Sequence, residues 1–282
     1  MPERCFNRAK RSDDMTETYG IIGLGTMGRV LARGILAKDS QAKIVGSTHS
    51  HQTSDRASAE LGIQIERDNV RLVQRAQTLL LCVKPHQAHA LIGTIAPVLT
   101  REHLLISICA SVTIEDLRAW SGERCAIIRA MPNTPCQIGE GMTVLAGGEE
   151  IDDTLMRRAS RIFDELGRTV VIDESLMDGA TGLSGCGPAY AYLIIEALSD
   201  AGVKLGIPRV TATAMAAQTL LGAAKMLLER GVHPASLRDE VTTPAGCTID
   251  GLMAMEEGRL RSTLMNGVVA AAERSRRLRE GS

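Results

Sequence analysis

The chain has 282 residues, 44% hydrophobic and 23% charged, so it is long enough for two domains of common size and is not a disordered chain. A formal net charge of −1 without a basic block excludes nucleic acid as an expected partner, and 2% aromatic content leaves few platforms for stacking bases. The seven cysteines are odd in number, scattered and without C-x-x-C spacing, which argues against a disulfide framework or a zinc site and for a reducing cytoplasm.

Residues 1–15 are polar and read as a flexible tail without a signal-peptide-like apolar run; Met15 is a candidate start. Thr18 to Ile22 is a short apolar run that enters Gly23-Leu24-Gly25-Thr26-Met27-Gly28, and Val30, Leu31, Ile35 and Leu36 then recur at helical spacing. Strand, G-x-G-x-x-G and helix in that order form a dinucleotide fingerprint. Gly23 permits the tight turn, Gly25 lets backbone approach a pyrophosphate, and Gly28 lets the helix close on the strand. A second strand over Lys43–Gly46 leads into Thr48, His49 and Ser50. No acidic residue lies between Ser40 and Ser54, so nothing there suits a free ribose 2′-hydroxyl. Small hydroxyls and histidine favour a 2′-phosphate, hence NADPH, with NADH possible.

Thr78–Val83 is a continuous apolar run of the kind found in buried parallel strands, and it exits through Lys84-Pro85-His86. Further strands are expected at Leu104–Ile108, Cys125–Arg129, Val144–Ala146 and Thr169–Ile172, with helices over Ile114–Trp120 and from about Asp152 to Leu166. Pro132 and Pro135 around Asn133 and Thr134 predict a rigid extended loop. The alternation describes a doubly wound sheet over residues 16–173. His86 and His89 are three apart on a helix turn but have no third ligand nearby, so they read as a surface pair and no metal site is expected.

After Asp173 the strand pattern stops. A helix is expected from Glu174, broken by the glycine-rich segment Gly182 to Pro188, with another from Pro208 to Arg230 closed by Gly231. Between Val210 and Ala224 that helix carries no charge, and a few helices cannot bury such faces alone. Thr211, Thr213, Gln218 and Thr219 interrupt the run, which speaks against membrane insertion and for helices that interleave with a second chain. Leu237–Leu252 reads as a helix end, a hydroxyl-rich loop and a new helix. Its small side chains leave the first amides of that helix open to an anion, and Thr248 adds a hydroxyl.

Together these segments resemble the pyrroline-5-carboxylate reductases, over about residues 19 to 278. The resemblance rests on Gly23–Gly28, Val83-Lys84-Pro85, Arg129 to Pro135, Gly182 to Tyr190, and the Leu237–Leu252 stretch. It implies an N-terminal Rossmann domain (16–173) and an all-helical dimerisation and substrate domain (174–282), in a homodimer that often assembles into a decamer of five dimers. It implies that Gly23, Leu24, Gly25, Thr26, Met27 and Gly28 hold the pyrophosphate, and Thr48, His49 and Ser50 the 2′-phosphate end. Asn69 matches an asparagine near the adenosine; Cys82, Val83, Lys84, Pro85 and Ala110 line the path to the nicotinamide; Glu174 matches a position that contacts cofactor in some members. Thr243 would contact substrate, and Gly246, Cys247 and Thr248 would hold its carboxylate and ring nitrogen.

This chain departs from the family pattern at Ala245, where glycine is usual, at Cys186 in place of serine, and at Glu240, where some members have asparagine. The implied reaction is hydride transfer to 1-pyrroline-5-carboxylate, giving L-proline, with Thr248 as the hydrogen-bond partner at nitrogen. A β-hydroxyacid-type dehydrogenase shares the two-part plan, but Lys204 and Lys225 lack the setting of its catalytic lysine. A non-catalytic NADPH-binding regulator would have no need of the intact Thr243–Thr248 loop.

Overall fold

The computed structural model describes residues 17–48 and 51–280; the tail with Met15, and also His49 and Ser50, lie outside the described residues. β1 (Thr18–Ile22) leads through the glycine turn into α1 (Thr26–Lys38), and β2 (Lys43–Ser47), α2 (His51–Leu61) and the short β3 (Gln64–Ile65) follow. α3 (Asn69–Val73), β4 (Thr78–Leu81), α4 (Pro85–Ile95), β5 (Leu104–Ser107) and α5 (Ile114–Ser121) continue the alternation. β6 (Ala126–Pro132), β7 (Gly141–Gly147), α6 (Asp153–Phe163) and β8 (Gly167–Val171) complete an eight-stranded sheet of order β3-β2-β1-β4-β5-β6-β7-β8.

Strand parity explains the layers. Ile21, Leu80, Leu104, Ile106 and Ile128 face one side, against Val30, Leu31 and Ile35 of α1 and Ile162 and Phe163 of α6. Their neighbours Ile22, Leu79, Leu81, Leu105 and Ile127 face the other, against Ala88, Ile92 and Ile95 of α4 and Leu117 of α5. Side chains alternate across a strand, so helices on both faces favour apolar residues at successive positions, the pattern seen over Leu79–Leu81 of β4. Full burial of each large aliphatic chain contributes about 1.5–3 kcal/mol. The order reverses at β1, with β2 on one side and β4 on the other, and the crevice beyond the carboxyl ends of those strands is where open sheets of this kind hold ligands.

Two segments differ from the sequence expectation. The stretch after Pro132 is not an extended loop: Thr134–Ile138 is a 3-10 helix closed by Gly139 at φ 75°, which turns the chain back so that β7 runs antiparallel to β6. Proline at the start of that turn supplies its φ without losing an amide bond the helix needs. The glycine-rich segment breaks the helix begun at Glu174 later than expected, at Cys186 rather than at Gly182. A 3-10 turn (Glu174–Leu176) and α7 (Met177–Ala180) continue into a π-helical turn over Thr181–Gly185 before the next helix starts at Gly187. Thr181 and Ser184 donate from their hydroxyls to the carbonyls of Met177 and Ala180, four residues back, competing with the regular ladder where it widens.

The described residues divide into two compact units, those of Met1–Gly185 with Ala271–Ser282 and those of Cys186–Ala270. The second unit contains α8 (Gly187–Lys204), α9 (Arg209–Arg230), α10 (Pro234–Glu240), α11 (Cys247–Glu257) and the first half of α12 (Leu260–Glu280). α8 and α9 form a hairpin in which Ser199 and Thr213 share a hydroxyl hydrogen bond of 2.8 Å. Only Ala212 and Ala216 of α9 are buried within the chain. The uncharged stretch is therefore bare in a single copy, with Val210 83% and Leu221 54% exposed. Contiguous apolar surface on that scale marks an association face. Among the described residues, no helix is long and apolar enough to cross a membrane.

Candidate active site

The glycine cradle sits at the carboxyl end of β1. Gly23 has φ 101°, a conformation that side chains rarely adopt, and its amide and that of Leu24 both donate to the Ser47 carbonyl at 3.2 and 2.9 Å. These bonds bind the turn to the end of β2, beside Thr48. A Cβ at Gly28 would collide with the Gly23 carbonyl oxygen, so α1 lies against the turn as only glycine allows. Gly25 meets open space at the same position, and as N-cap it makes no side-chain hydrogen bond. The first amides of α1 thus keep the donors that a pyrophosphate would accept from.

On the β2 side, Asn69 begins α3 behind the Asp68 cap. Among the described residues its Oδ1 is a buried side-chain oxygen with no hydrogen-bond partner. An orphaned buried acceptor costs about 1–3 kcal/mol, so it calls for a donor from elsewhere. The amine or hydroxyl groups of an adenosine fit that need. The cradle and Asn69 therefore suit a dinucleotide.

Two further loops adjoin the cradle. The Cys82 amide donates to the Ile22 carbonyl at 2.8 Å, which lays Cys82–Pro85 beside the glycine turn. Lys84 caps α4, with Pro85 as the first helical residue and the Lys84 amide held by Gln87 Oε1 at 3.3 Å. After β5, Cys109 donates its S–H to the Val83 carbonyl at 3.3 Å, and Ala110 and Ser111 form the turn before α5. Burial pushes the thiols of Cys82 and Cys109 above their ordinary pKa. They are space-filling groups here, not nucleophiles.

In the second unit, the predicted substrate loop lies between α10 and α11. Thr242 donates from its hydroxyl to the Arg238 carbonyl at 2.8 Å, and the Gly246 amide donates to the Thr243 carbonyl at 3.0 Å. A Cβ at Gly246 would strike the Thr243 hydroxyl, so glycine allows the loop to fold on itself. Ala245 sits at φ 58°, in the left-handed region. Gly246 caps α11 without a side-chain hydrogen bond, so no cap side chain occupies the first-turn amides of Cys247, Thr248 and Ile249. Arg230 closes the base of α10 by a bidentate pair with Glu240 at 2.6 and 2.7 Å. Those bonds hold the Glu240 carboxyl below its usual range.

Sequence reasoning missed three features. Arg129 is almost fully buried and pairs with Glu174 at 2.8 Å, and the same Glu174 oxygen accepts the Ile114 amide at 2.7 Å. Asn133 receives the Met142 amide on Oδ1 at 3.0 Å and donates to the Ser184 carbonyl at 3.1 Å, fastening the π turn to the β6–β7 hairpin. An asparagine between two prolines was the only signal for that staple. His89 rests against Trp120, with ring centroids 4.9 Å apart.

A doubly wound sheet with a glycine cradle at its crevice, followed by an all-helical segment, defines an NADP-dependent oxidoreductase class of chain. A family profile described as pyrroline-5-carboxylate reductase dimerisation matches residues 174–278, and one described as NADP oxidoreductase, coenzyme F420-dependent, matches residues 18–111. The pyrroline-5-carboxylate reductase of Pisum sativum is 40% identical over 263 residues, covering 93% of this chain and 96% of the relative. A solved pyrroline-5-carboxylate reductase from Coxiella burnetii superposes with a TM-score of 0.89 at 33% identity, covering 94% of this chain and 99% of that one. The Plasmodium falciparum pyrroline carboxylate reductase, solved with NADP bound, gives a TM-score of 0.81 at 33% identity, covering 93% and 98%. The chain belongs to the pyrroline-5-carboxylate reductase family.

Proposed function

We propose that this chain reduces 1-pyrroline-5-carboxylate to L-proline with NAD(P)H, the final step of proline biosynthesis. The observation that carries the substrate side of the reading is the first turn of α11, which starts without a side-chain cap directly after a loop folded by the Gly246 amide on the Thr243 carbonyl. The first amides of α11 bind the substrate carboxylate, assisted by the positive end of the α11 dipole. Thr243 contacts the substrate beside them, and Cys247 fills space. Thr248 Oγ1 hydrogen-bonds the ring nitrogen and supports its protonated form, which is the better hydride acceptor. A threonine hydroxyl is too weak an acid to supply the proton alone, so it relays one through water.

When bound, NADPH supplies the hydride, and the protein's contribution is chiefly orientation of the reacting carbons. The residues Gly23 to Gly28 hold the pyrophosphate, Thr48 with His49 and Ser50 the 2′-phosphate, and Asn69 the adenosine. Cys82 to Pro85 and Ala110 border the nicotinamide. The missing acid after β2 supports a preference for NADPH over NADH. Residues 16–173 serve as the cofactor domain and 174–282 as the dimerisation and substrate domain, a division that the 174–278 family match supports. Two copies join through the bare apolar faces of the helical segment, and dimers gather into a decamer in the cytoplasm. Replacing Thr248 with Ala tests the catalytic assignment. We expect kcat/KM for pyrroline-5-carboxylate to fall by roughly tenfold or more. An unchanged value removes Thr248 from the mechanism.

A further inference from the structure

The turn that follows β5, Cys109 to Thr113, is tied at three points. Its start is held by the Cys109 thiol on the Val83 carbonyl. Its middle is held by Ser111, whose Oγ donates to the Ser275 carbonyl at 3.4 Å. Its end is held by Glu174, whose Oε1 accepts the Ile114 amide at 2.7 Å and the Arg129 guanidinium at 2.8 Å. Ser275 is itself fixed, because its hydroxyl donates to Asp178 Oδ1 at 2.7 Å. The other Asp178 oxygen pairs with Arg279 at 3.3 Å.

One tie thus comes directly from Glu174, and another is supported through Ser275 by Asp178, four residues further along the segment that leads out of the sheet. Ser111 has φ 62°, which a serine keeps only where its surroundings over-determine the backbone. Glu174 meets the Ile114 amide and Arg129, and Asp178 meets the Ser275 hydroxyl and Arg279.

We infer that Glu174 and Asp178 are positioning residues that hold the Ala110–Ser111 turn in the form that receives the nicotinamide, Glu174 through the Ile114 amide and Asp178 through Ser275. This rests on the reading of Ala110 as a nicotinamide-lining residue. Neither carboxylate needs to touch cofactor to affect its binding, since a small displacement of a lining turn lowers the fraction of bound cofactor in a reactive pose.

The experiment compares full-length Glu174→Ala, Asp178→Ala and Ser275→Ala with the conservative Glu174→Gln and Asp178→Asn, which retain the accepting oxygen. KM for NADPH, KM for pyrroline-5-carboxylate and amide deuterium exchange over residues 109–114 are read together. The alanine variants are expected to raise KM for NADPH roughly three- to tenfold, with little change in KM for the imine, and to speed exchange in that peptide. Gln and Asn should stay within about twofold of the parent. Wild-type KM for NADPH with unaltered protection overturns the inference, as does an equal rise in both KM values. Should Asp178→Ala fail to fold, Ser275→Ala decides for Asp178; should Glu174→Ala fail, Glu174→Asp, which keeps a charge for Arg129 but shortens the reach to the Ile114 amide, decides for Glu174 by the same criteria. Ala110→Val separates the two readings. If it weakens NADPH while the alanine variants do not, the positioning inference fails alone; if it leaves NADPH untouched, the reading of Ala110 fails and the inference with it.

Discussion

Ala245 stands where its family uses glycine, and the structure places it at φ 58°. For an L-residue with a Cβ the left-handed conformation costs roughly 1–2 kcal/mol, because the Cβ crowds the following carbonyl. Glycine adopts it freely but loses about 0.4–1 kcal/mol more in chain entropy on folding than alanine does. The balance favours Ala245→Gly by about 0.5–1 kcal/mol. For a protein of this size that corresponds to a melting temperature higher by about 1–4 °C. The assay is a thermal melt at one fixed protein concentration without cofactor, because assembly and ligand both shift the apparent midpoint. Gly246→Ala serves as the opposite control, since its Cβ meets the Thr243 hydroxyl, and it should melt lower. A lower or unchanged midpoint for Ala245→Gly refutes the reasoning, and means that the loop relaxes out of the left-handed region at no cost.

Other outcomes follow from the same structure. Asn69→Ala removes a buried acceptor without a partner among the described residues, so the cofactor-free protein should be as stable as the parent or more so, while the Kd for NADPH rises; a titration paired with a melt shows whether the two effects have opposite signs. Thr48→Asp puts an acid beside the end of β2, and should cut kcat/KM with NADPH by roughly tenfold or more while sparing NADH. Burial pushes the Cys125 thiol up to about 11, and raises those of Cys82, Cys109 and Cys136 as well. A group whose pKa is raised stays protonated as pH climbs through its ordinary value. At pH 8 these four thiols should therefore resist alkylation in the folded protein, while exposed Cys247 is modified and L-proline slows that modification.

The sheet was legible because its strands are buried on both faces. A continuous run such as Thr78–Val83, exiting through Lys84-Pro85-His86, has few other readings, and the glycine fingerprint lies at the end of β1, where the strand order reverses. The turns were less legible. Proline, asparagine and glycine mark that the chain changes direction, but both a 3-10 hairpin turn and an extended loop satisfy Pro132-Asn133-Thr134-Pro135. What decides between them is Asn133 bonding Met142 and Ser184, which are 9 and 51 residues away. The π turn at Thr181–Gly185 is hidden because three nearby glycines mark a break without saying where it falls, and the winding continues past Gly182 to end at Cys186. The loop proposed to hold substrate is visible as composition, whereas the strain at Ala245 shows only in the folded backbone. The ties of Glu174 and Asp178 join residues far apart in sequence, and no local pattern announces them.

The proposed reaction passes hydride from the nicotinamide of NADPH to the imine carbon of pyrroline-5-carboxylate. NADPH carrying deuterium at the transferring C4 position, incubated with the purified chain and pyrroline-5-carboxylate, tests it in one measurement of the product by NMR. L-proline with deuterium at C5 is expected, one equivalent for each NADPH oxidised. Folded, NADPH-binding protein that yields no proline, or proline without the label at C5, would contradict it.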